Sequence, residues 1–295
     1  MFNDKVGLNV RKGGVALDGK VRYKRNHRLV ATMQQLVQRP NQLLNLSHFT
    51  QQFDCAKSTV SEDLEIIRRV IEDQEMGFLE TLTGKTGGVI FRPKLSPDQV
   101  QNLQNKITSR LQEGKRILPG NYIFVNDLLQ DPSILNPIAQ LIANKYVDLE
   151  IDRIVTIEAK GIGLAAAVSV YLNIPYVVAR RESTAAEGST ISVNYTSGSQ
   201  QIVKKMELTK SALKAESRVL IVDDFLRNGG TLMGLVDLIQ EFDSQVAGVC
   251  VFAENKLKSR MQIPHYHALF ETQLRYNADK EHYQLAIEAG NFFDK

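Results

Sequence analysis

The sequence predicts an α/β protein in two parts, a helix-rich N-terminal domain and a larger C-terminal domain built on a parallel sheet. Helical periodicity followed by a glycine-rich hairpin pattern occupies the first third of the 295 residues. Strand and helix patterns alternate from Asp152 onward, as they do in parallel α/β sheets. One apolar strand, Val219–Val222, runs directly into Asp223 and Asp224 and then into Gly229-Gly230-Thr231. Because open α/β sheets bind ligands at the carboxyl ends of their strands, this segment is the candidate ligand site.

The composition fits a folded chain of about two domains and excludes several classes of protein. Hydrophobic residues make up 43% and charged residues 23% of the chain, which excludes general disorder. Two cysteines are too few for a disulfide framework or a cysteine-based zinc site. We find no targeting signal and no apolar stretch suited to a membrane span, so we expect a cytoplasmic protein without a membrane partner.

The positive charge of the chain is concentrated near the N-terminus. Residues 1–93 hold 14 Lys and Arg against 10 Asp and Glu, whereas the rest of the chain is close to neutral. The basic residues are densest between Lys20 and Arg28. Such asymmetry is typical of a segment that faces nucleic acid, and a solvated basic tail without a partner is the alternative. We expect residues 1–24 to form a flexible basic extension.

Residues 25–94 have the pattern of a winged helix-turn-helix domain. A first helix and a short second helix, with Ser47 as the expected N-cap, precede a longer helix that opens at Ser58 or Thr59. Thr59 and Glu62 fit a capping box at that opening. Two strand patterns then flank a glycine-rich turn at 83–88, which predicts the wing.

This arrangement suits double-stranded DNA. Small hydroxylic and basic side chains at the start of a helix can reach base edges and phosphates, and a basic wing tip can lie along the backbone. A protein-interaction or dimerisation module on the same three-helix scaffold is the alternative. The residues expected to contact DNA are Arg25, Arg28, Lys57, Ser58, Thr59, Ser61 and Lys85.

The C-terminal domain is expected to span residues 95–295. A linking helix at 96–111 opens it, with Ser96 and Pro97 in the N-cap and N1 positions. The polar stretch Glu182–Ile202 predicts a flexible loop, and a last strand is expected within Tyr283–Phe293. Three further helices are expected in this domain, at Pro137–Tyr146, Leu164–Leu172 and Leu232–Phe242. Four strands are expected beside them, at Arg153–Ile157, Pro175–Ala179, Val219–Val222 and Val246–Phe252.

The carboxylates and glycines that follow the strand Val219–Val222 predict a cage for a ribose phosphate. Two glycines let backbone amides close around a phosphate, and the N-terminus of the next helix adds its own N–H groups. Two adjacent carboxylates suit such a site if they accept hydrogen bonds from ribose hydroxyls or lie near a phosphate-bound Mg²⁺.

A dinucleotide fingerprint is the alternative for the first part of this domain. Gly161, Gly163 and Ala166 satisfy G-x-G-x-x-A after a strand, and Glu182 lies about twenty residues further on. This interpretation leaves the Asp-Asp and Gly-Gly-Thr segment without a role.

The segment from Val219 to Thr231 resembles the phosphoribosyl pyrophosphate (PRPP) motif of type I phosphoribosyltransferases. Glu158-Ala159-Lys160-Gly161 resembles their pyrophosphate loop, which binds through backbone N–H groups and contains an unusual peptide bond. Residues 116–122, 187–199 and 223–230 are closer still to one branch, the purine operon regulators of Gram-positive bacteria, often called PurR. That branch couples a winged helix to a phosphoribosyltransferase-like domain, and the likeness covers nearly the whole chain from about Arg25.

The resemblance implies a homodimeric transcriptional regulator of purine biosynthesis and salvage genes that senses PRPP, with Mg²⁺, and has no transferase activity, no obligatory cofactor and no direct metal ligand. Asp223 and Asp224 would hold the ribose hydroxyls near the Mg²⁺ of PRPP. Tyr122 and Phe225 would sandwich a purine, or else belong to the core, and purine nucleotides would compete for the site. The phosphate contacts would come from Leu226, Arg227, Asn228, Gly229, Gly230 and Thr231 for the 5-phosphate and from Ala159, Lys160 and Gly161 for the pyrophosphate.

Two other functions stay open at the level of the sequence. An active purine phosphoribosyltransferase needs mainly positioning and charge stabilisation, so no missing nucleophile would exclude it. An RNA- or protein-binding module on the same scaffold is the third hypothesis. The sequence does not decide whether the chain represses or activates transcription.

Overall fold

The chain divides into two compact units, Met1–Arg92 and Pro93–Lys295. A computed structural model describes residues 16–17, 20–21, 23–84, 87–113, 116–118, 122–182, 188–197, 202–257, 262–277 and 282–294. The expected basic extension 1–24 lies mostly outside the described residues. Two short strands within it, β1 (Ala16–Leu17) and β2 (Lys20–Val21), pair antiparallel.

The N-terminal unit has the predicted winged helix-turn-helix arrangement. Its three-stranded sheet has the order β3-β5-β4. The predicted stripe of Val60, Leu64, Ile67 and Ile71 is buried against the other helices and the sheet. The elements are α1 (Arg25–Gln38), β3 (Leu44–Asn45), α2 (Leu46–Phe53), α3 (Lys57–Asp73), β4 (Gly77–Leu82) and β5 (Gly88–Pro93).

The predicted caps of two helices in this unit are wrong. Helix α3 begins at Lys57 with Ala56 at its N-cap, so that Thr59 lies inside the first turn. Helix α2 begins at Leu46 with Asn45 at its N-cap, and neither capping side chain accepts a hydrogen bond. Burial of the apolar stripes supplies most of the stability of these two helices, so that packing rather than capping chemistry determines where they start.

A buried ion pair joins α1 to α3. Arg28 donates from Nε and Nη2 to the two carboxylate oxygens of Asp63, at 2.8 and 3.3 Å, and from Nη1 to the Tyr23 carbonyl. The side chains of Arg28 and Asp63 are only 12% and 4% exposed. Two charges removed from water in this way hold the helices in one relative position.

The linking helix α4 (Pro97–Gln112) belongs to the C-terminal unit. Its predicted start is confirmed, because Ser96 accepts from the Gln99 amide and the Gln99 side chain accepts from the Ser96 amide. Leu103, Ile107 and Leu111 bury the inner face of α4 in the core of this unit.

The C-terminal unit is built on a six-stranded sheet with the order β15-β14-β13-β12-β8-β9, in which only the pairing of β14 with β15 is antiparallel. The elements of the unit after α4 are β6 (Ile117–Leu118), β7 (Tyr122–Ile123), α5 (Asn126–Leu129), α6 (Pro132–Tyr146), β8 (Arg153–Ile157), α7 (Gly161–Leu172), β9 (Tyr176–Ala179), β10 (Thr190–Ser197), β11 (Ile202–Thr209), β12 (Arg218–Leu226), α8 (Gly230–Gln240), β13 (Gln245–Asn255), β14 (Tyr266–Asn277) and β15 (His282–Ala289).

Strand β12 separates the two layers of the core. Its side chains alternate, so that Leu220 and Val222 pack with α6 and α7 on one face while Val219 and Ile221 pack with α8 on the other. Strands β8 and β12 are neighbours in the sheet, and the strand order continues from β8 to β9 on one side and from β12 to β13 on the other. The carboxyl ends of β8 and β12 therefore form a topological switch point, where such sheets bind ligands.

The predicted flexible loop over Glu182–Ile202 is wrong for its described part, because β10 and β11 form an antiparallel hairpin. The apolar face of the hairpin covers α8, where Gly234 leaves room for Tyr195 and Met206. The alternation of apolar with Ser, Thr and Asn residues in β10 is a strand pattern.

Among the described residues, no helix combines the length and the apolarity that a membrane span requires.

We expect Asp63→Ala to lower the free energy of unfolding by about 3 kcal/mol, because it leaves the Arg28 charge buried without its partner. Glu65→Ala is the matched control. Glu65 lies on the same helix and pairs with Arg68 and Arg69, but its side chain is 53% exposed, so its loss should cost less than about 1 kcal/mol. Urea unfolding followed by circular dichroism measures both, and equal losses would contradict the prediction.

Candidate functional site

A cavity of about 400 Å³ opens at the switch point of the sheet, at the carboxyl ends of β8 and β12. Its lining combines three cations, three carboxylates and a small apolar wall, which suits a ligand that has both anionic groups and hydroxyl donors. The residues that line it are Ile123, Ile157, Glu158, Ala159, Lys160, Arg181, Asp223, Asp224, Phe225, Arg227 and Thr231.

The floor of the cavity is the carboxylate pair at the end of β12. The Asp223 residue is 5% exposed, and its Oδ1 accepts from the Asp224 amide at 2.9 Å. Burial raises the pKa of Asp223 well above its ordinary value, and the neighbouring Asp224 raises it further. Burial also raises the pKa of Asp224, while Lys160 acts against that shift. Groups that donate hydrogen bonds to these oxygens would offset the cost of burying them.

Gly161 brings the first turn of α7 against this pair. A Cβ on Gly161 would collide with the Thr156 hydroxyl and with the Asp223 carboxylate. The Thr156 hydroxyl is buried and, within the part of the chain that the structure describes, has no hydrogen-bond partner. A glycine is therefore required at this position to keep Asp223 in place.

The loop after β8 forms one side of the cavity. The peptide bond between Glu158 and Ala159 is cis, which is the unusual peptide that the resemblance predicts. The Glu158 carboxylate accepts from the Arg181 amide at 2.8 Å and lies 3.5 Å from the Arg180 guanidinium, so that the end of β9 is tied to this loop. Lys160, at the N-cap of α7, places its charge beside the free amides of the helix start.

The loop after β12 forms the opposite side. Gly229 is the N-cap of α8 and has a φ of 90°, a conformation that favours glycine. Thr231 and Arg227 line the cavity next to the amides of this helix N-terminus, a combination that binds phosphate groups. Leu226 packs its side chain into the core, so only its backbone is available to a ligand.

The structure brings most of the predicted ligand-binding side chains to one cavity. Ala159, Lys160, Asp223, Asp224, Phe225, Arg227 and Thr231 line it. Phe225 also packs against the core, so its position is compatible both with stacking on a purine base and with core packing. The side chain of Tyr122 lies outside the described residues. Of the glycines in the alternative dinucleotide pattern, Gly161 contacts the carboxylate pair, whereas Gly163 is solvent-exposed and does not line the cavity.

Sequence reasoning missed Ile123, Ile157, Glu158 and Arg181 as lining residues. Glu158 and Arg181 were detectable in principle, because they lie one and two residues after the carboxyl ends of the parallel strands β8 and β9. Ile123 directly follows Tyr122, which the resemblance places at the ligand site, but the residue type of Ile123 itself does not indicate the cavity.

The donor set suits Mg²⁺ held through a phosphorylated ligand. Magnesium prefers carboxylate and phosphate oxygens and usually keeps several waters. The described residues contain no cluster of three or more His, Cys, Asp or Glu that could hold a metal ion by itself. Asp223 and Asp224 are thus the residues that would face a Mg²⁺ brought in by the ligand.

The predicted DNA-contacting residues lie around the start of α3. Lys57, Ser58 and Ser61 are exposed on one face of its first turns, and Thr59 is half-buried. Arg25 is exposed and lies 3.5 Å from Asp63, whereas Arg28 is committed to the buried ion pair between α1 and α3. Lys85 lies outside the described residues. The DNA contacts of this face stay predictions.

Comparison with known families matches both units of the chain. The family described as "Bacterial purine repressor, N-terminal" matches residues 24–93. The family described as "Phosphoribosyl transferase domain" matches residues 125–284.

Among the relatives that match nearly the whole chain are three bacterial transcriptional regulators. The probable purine biosynthesis transcriptional regulator PurR of Streptococcus pneumoniae serotype 4 is 42% identical over 93% of this chain and 99% of its own. The purine biosynthesis transcriptional activator PurR of Lactococcus lactis subsp. lactis is 40% identical over 92% of this chain and 99% of its own. The purine biosynthesis transcriptional repressor PurR of Bacillus subtilis is 36% identical over 92% of this chain and 94% of its own.

For the ligand that the resemblance implies, the Mg²⁺ complex of PRPP, we expect Gly161→Ala to weaken binding roughly tenfold to a hundredfold, since overpacking costs about 1–3 kcal/mol and each 1.4 kcal/mol is a factor of ten. Gly163→Ala, two residues along the same helix, is the control. No atom lies within 4 Å of a Cβ built there, so this substitution should leave binding unchanged and stabilise the helix by roughly 0.5–1 kcal/mol. Isothermal calorimetry measures binding, and similar affinities for the two variants would refute the role of Gly161.

The raised pKa values of the carboxylate pair predict a loss of stability as the pH rises. The unfolded chain ionises near its ordinary pKa of 3.8, whereas the folded chain retains its protons to higher pH, so the stability that the protonated pair contributes at low pH is lost across that interval. Asp223→Asn removes one ionisation, so the ligand-free variant should melt at a higher temperature than the parent chain at pH 7. Thermal unfolding at a series of pH values tests this, with the exposed Asp237→Asn as control, and parallel pH profiles for all three proteins would contradict it.

Proposed function

The chain belongs to the PurR family of purine biosynthesis transcriptional regulators, and we propose that it regulates purine biosynthesis and salvage genes by binding their DNA through α3 and the wing and by binding PRPP in the C-terminal cavity. It is a regulator rather than an enzyme, because the relatives that match it over 92–93% of its length are transcriptional regulators.

The observation that carries the proposed effector is the pairing of the buried carboxylates with two loops that end in helix N-termini. PRPP has ribose hydroxyls, a 5-phosphate and a pyrophosphate, and each group meets suitable chemistry in the cavity. Asp223 and Asp224 accept from the hydroxyls, the Arg227 to Thr231 loop receives the 5-phosphate, and Ala159 and Lys160 receive the pyrophosphate. Mg²⁺ bound to the phosphates neutralises part of their charge beside the carboxylates.

The proposed DNA contacts use a different surface and different physics. Lys57, Ser58 and Ser61 present a cation and two hydroxyls from one exposed face at the start of α3. Arg25 adds a further exposed cation on α1. Because exposed cations bind phosphates with release of counterions, the affinity for DNA should fall steeply with salt concentration.

Two finer features complete the proposal. Ile123, Ile157 and Phe225 form an apolar part of the cavity that suits a purine base, so purine nucleotides compete with PRPP. The regulator acts in the cytoplasm as a homodimer, which matches the two-fold symmetry of common DNA sites for helix-turn-helix proteins.

We expect PRPP with Mg²⁺ to change the affinity of the chain for purine promoter DNA, and two substitutions to separate the two activities. Asp224→Asn should remove the PRPP response and leave DNA binding intact, because it removes an acceptor from the cavity. Lys57→Ala should weaken DNA binding about uniformly across sequences and leave PRPP binding intact, since phosphate contacts carry no sequence information.

Fluorescence anisotropy with labelled promoter DNA and calorimetry with PRPP measure these effects, with Asp237→Asn on the exposed face of α8 as a control. If the two variants lose the same activity, the proposed assignment of DNA binding and PRPP binding to separate surfaces is wrong.

Incubation with PRPP and each purine base should give no nucleotide, and sustained turnover would indicate a phosphoribosyltransferase instead.

A further inference from the structure

A small hairpin contributes one residue, Ile123, to the wall of the cavity. Strands β6 and β7 pair only Ile117 with Ile123 and Leu118 with Tyr122, and the Phe124 amide donates to the Arg116 carbonyl at 2.9 Å. We call the described residues 116–118 and 122–124 the wall hairpin. It forms a separate two-stranded sheet, and Ile123 is its residue in the cavity lining. Because a two-stranded hairpin is marginally stable alone, its position depends on what anchors it.

Arg116 is an anchor of the wall hairpin and is only 10% exposed. Its Nη2 donates to the Arg110 carbonyl near the end of α4 at 2.8 Å and to Asp127 Oδ2 at 3.0 Å. Its Nη1 donates to Asp127 Oδ1 and to the Phe124 carbonyl. One planar guanidinium thus joins both ends of the hairpin to α4 and α5, which an ammonium could not do.

The chemistry of the anchor supports a permanently ionic contact. The hydrogen bond from Arg116 lowers the pKa of Asp127 against the opposing effect of burial, and Arg110 lowers it further. Arg110 binds Asp127 and Asp131 through its side chain at 3.4 and 3.5 Å but makes only a backbone contact with Arg116. The two arginines therefore share the acidic cluster, and within the described residues only the side chain of Arg116 also bonds to the far strand of the hairpin, at the Phe124 carbonyl.

The wall hairpin faces the cavity with an apolar side chain. Ile123, with Ile157 and Phe225, forms the apolar part of a lining that is otherwise mostly charged or polar. PRPP has no base to place there, whereas a purine nucleoside monophosphate has a planar base that gains from apolar and aromatic contact.

We propose that Arg116 is a positioning residue that sets how tightly the cavity holds a purine base, and therefore how strongly a purine nucleoside monophosphate competes with PRPP. This inference rests on the proposed function of the cavity. Arg116 touches no ligand in this scheme and acts through the position of Ile123.

The test compares Arg116→Gln with Arg110→Gln in the full-length chain. Each variant removes one cation from the same acidic cluster, but Arg110→Gln keeps the backbone carbonyl that anchors the hairpin. Calorimetry measures the dissociation constants of inosine 5′-monophosphate and of PRPP with Mg²⁺. We expect Arg116→Gln to weaken the nucleotide about tenfold, in the range of one lost stacking contact, and to change PRPP binding by less than about twofold. Arg110→Gln should change both by less than about twofold.

A fluorescent reporter separates positioning from general stability. The chain has no tryptophan, so Phe124→Trp places a single one on the wall hairpin. Nucleotide binding should shift its emission in the otherwise unchanged chain and in the Arg110→Gln background, and should fail to do so in the Arg116→Gln background. Arg116→Lys keeps the charge but not the fork, so it should behave like Arg116→Gln.

The possible outcomes are distinct. A parent chain that binds neither ligand would overturn the proposed function of the cavity, and the inference with it. A parent chain that binds both, with Arg116→Gln equal to Arg110→Gln, would overturn the inference alone. If Arg116→Gln does not fold, Asp127→Asn takes its place, because it removes the charge partner and leaves the backbone contacts. Equal weakening of PRPP and nucleotide by that variant would also overturn the inference.

Discussion

A buried carboxylate, Asp223, and its half-buried neighbour Asp224 at the end of a central strand are the constraint on which the C-terminal unit depends. Burial raises the pKa of both Asp223 and Asp224, so their ionisation lowers the stability of the folded chain at any pH at which they are charged. The apolar strand that precedes them lies between two helical layers and offsets that cost. Gly161 then lets α7 approach so closely that any side chain at this position would collide with the Asp223 carboxylate. The cavity is thus organised before any ligand enters it.

The two units use charge in opposite ways. In the N-terminal unit Arg28 is removed from water and holds two helices together, whereas the cations Arg25 and Lys57 remain exposed. In the C-terminal unit Lys160, Arg181 and Arg227 line a concave site beside the carboxylates. An exposed cationic face attracts a long polyanion and is sensitive to salt, whereas a partly enclosed site selects a small polyanion of definite shape.

A cavity that suits a phosphoribosyl ligand does not by itself make an enzyme. Phosphoribosyl transfer requires positioning and charge stabilisation, and the same residues would serve a sensor that only binds. The full-length likeness to transcriptional regulators decides between these roles for this chain. The relatives include both an activator and a repressor, so the shared architecture is compatible with either direction of control.

The sequence by itself determined the two-unit organisation, the wing, the strand Arg153–Ile157 and the position of Asp223 and Asp224 at the end of a buried strand, because each is a local pattern of periodicity, turn residues or adjacent side chains. Only the tertiary structure decided which distant residues join them. Ile123 reaches the cavity from a hairpin about a hundred residues before Asp223, and Arg28 meets Asp63 across two helices. The β10–β11 hairpin has the composition of a loop because the Ser and Thr residues of β10 alternate with the apolar residues that pack on α8, and only that packing distinguishes the two faces. Contacts between segments far apart in sequence form only when the whole domain folds, and no local sequence pattern encodes them.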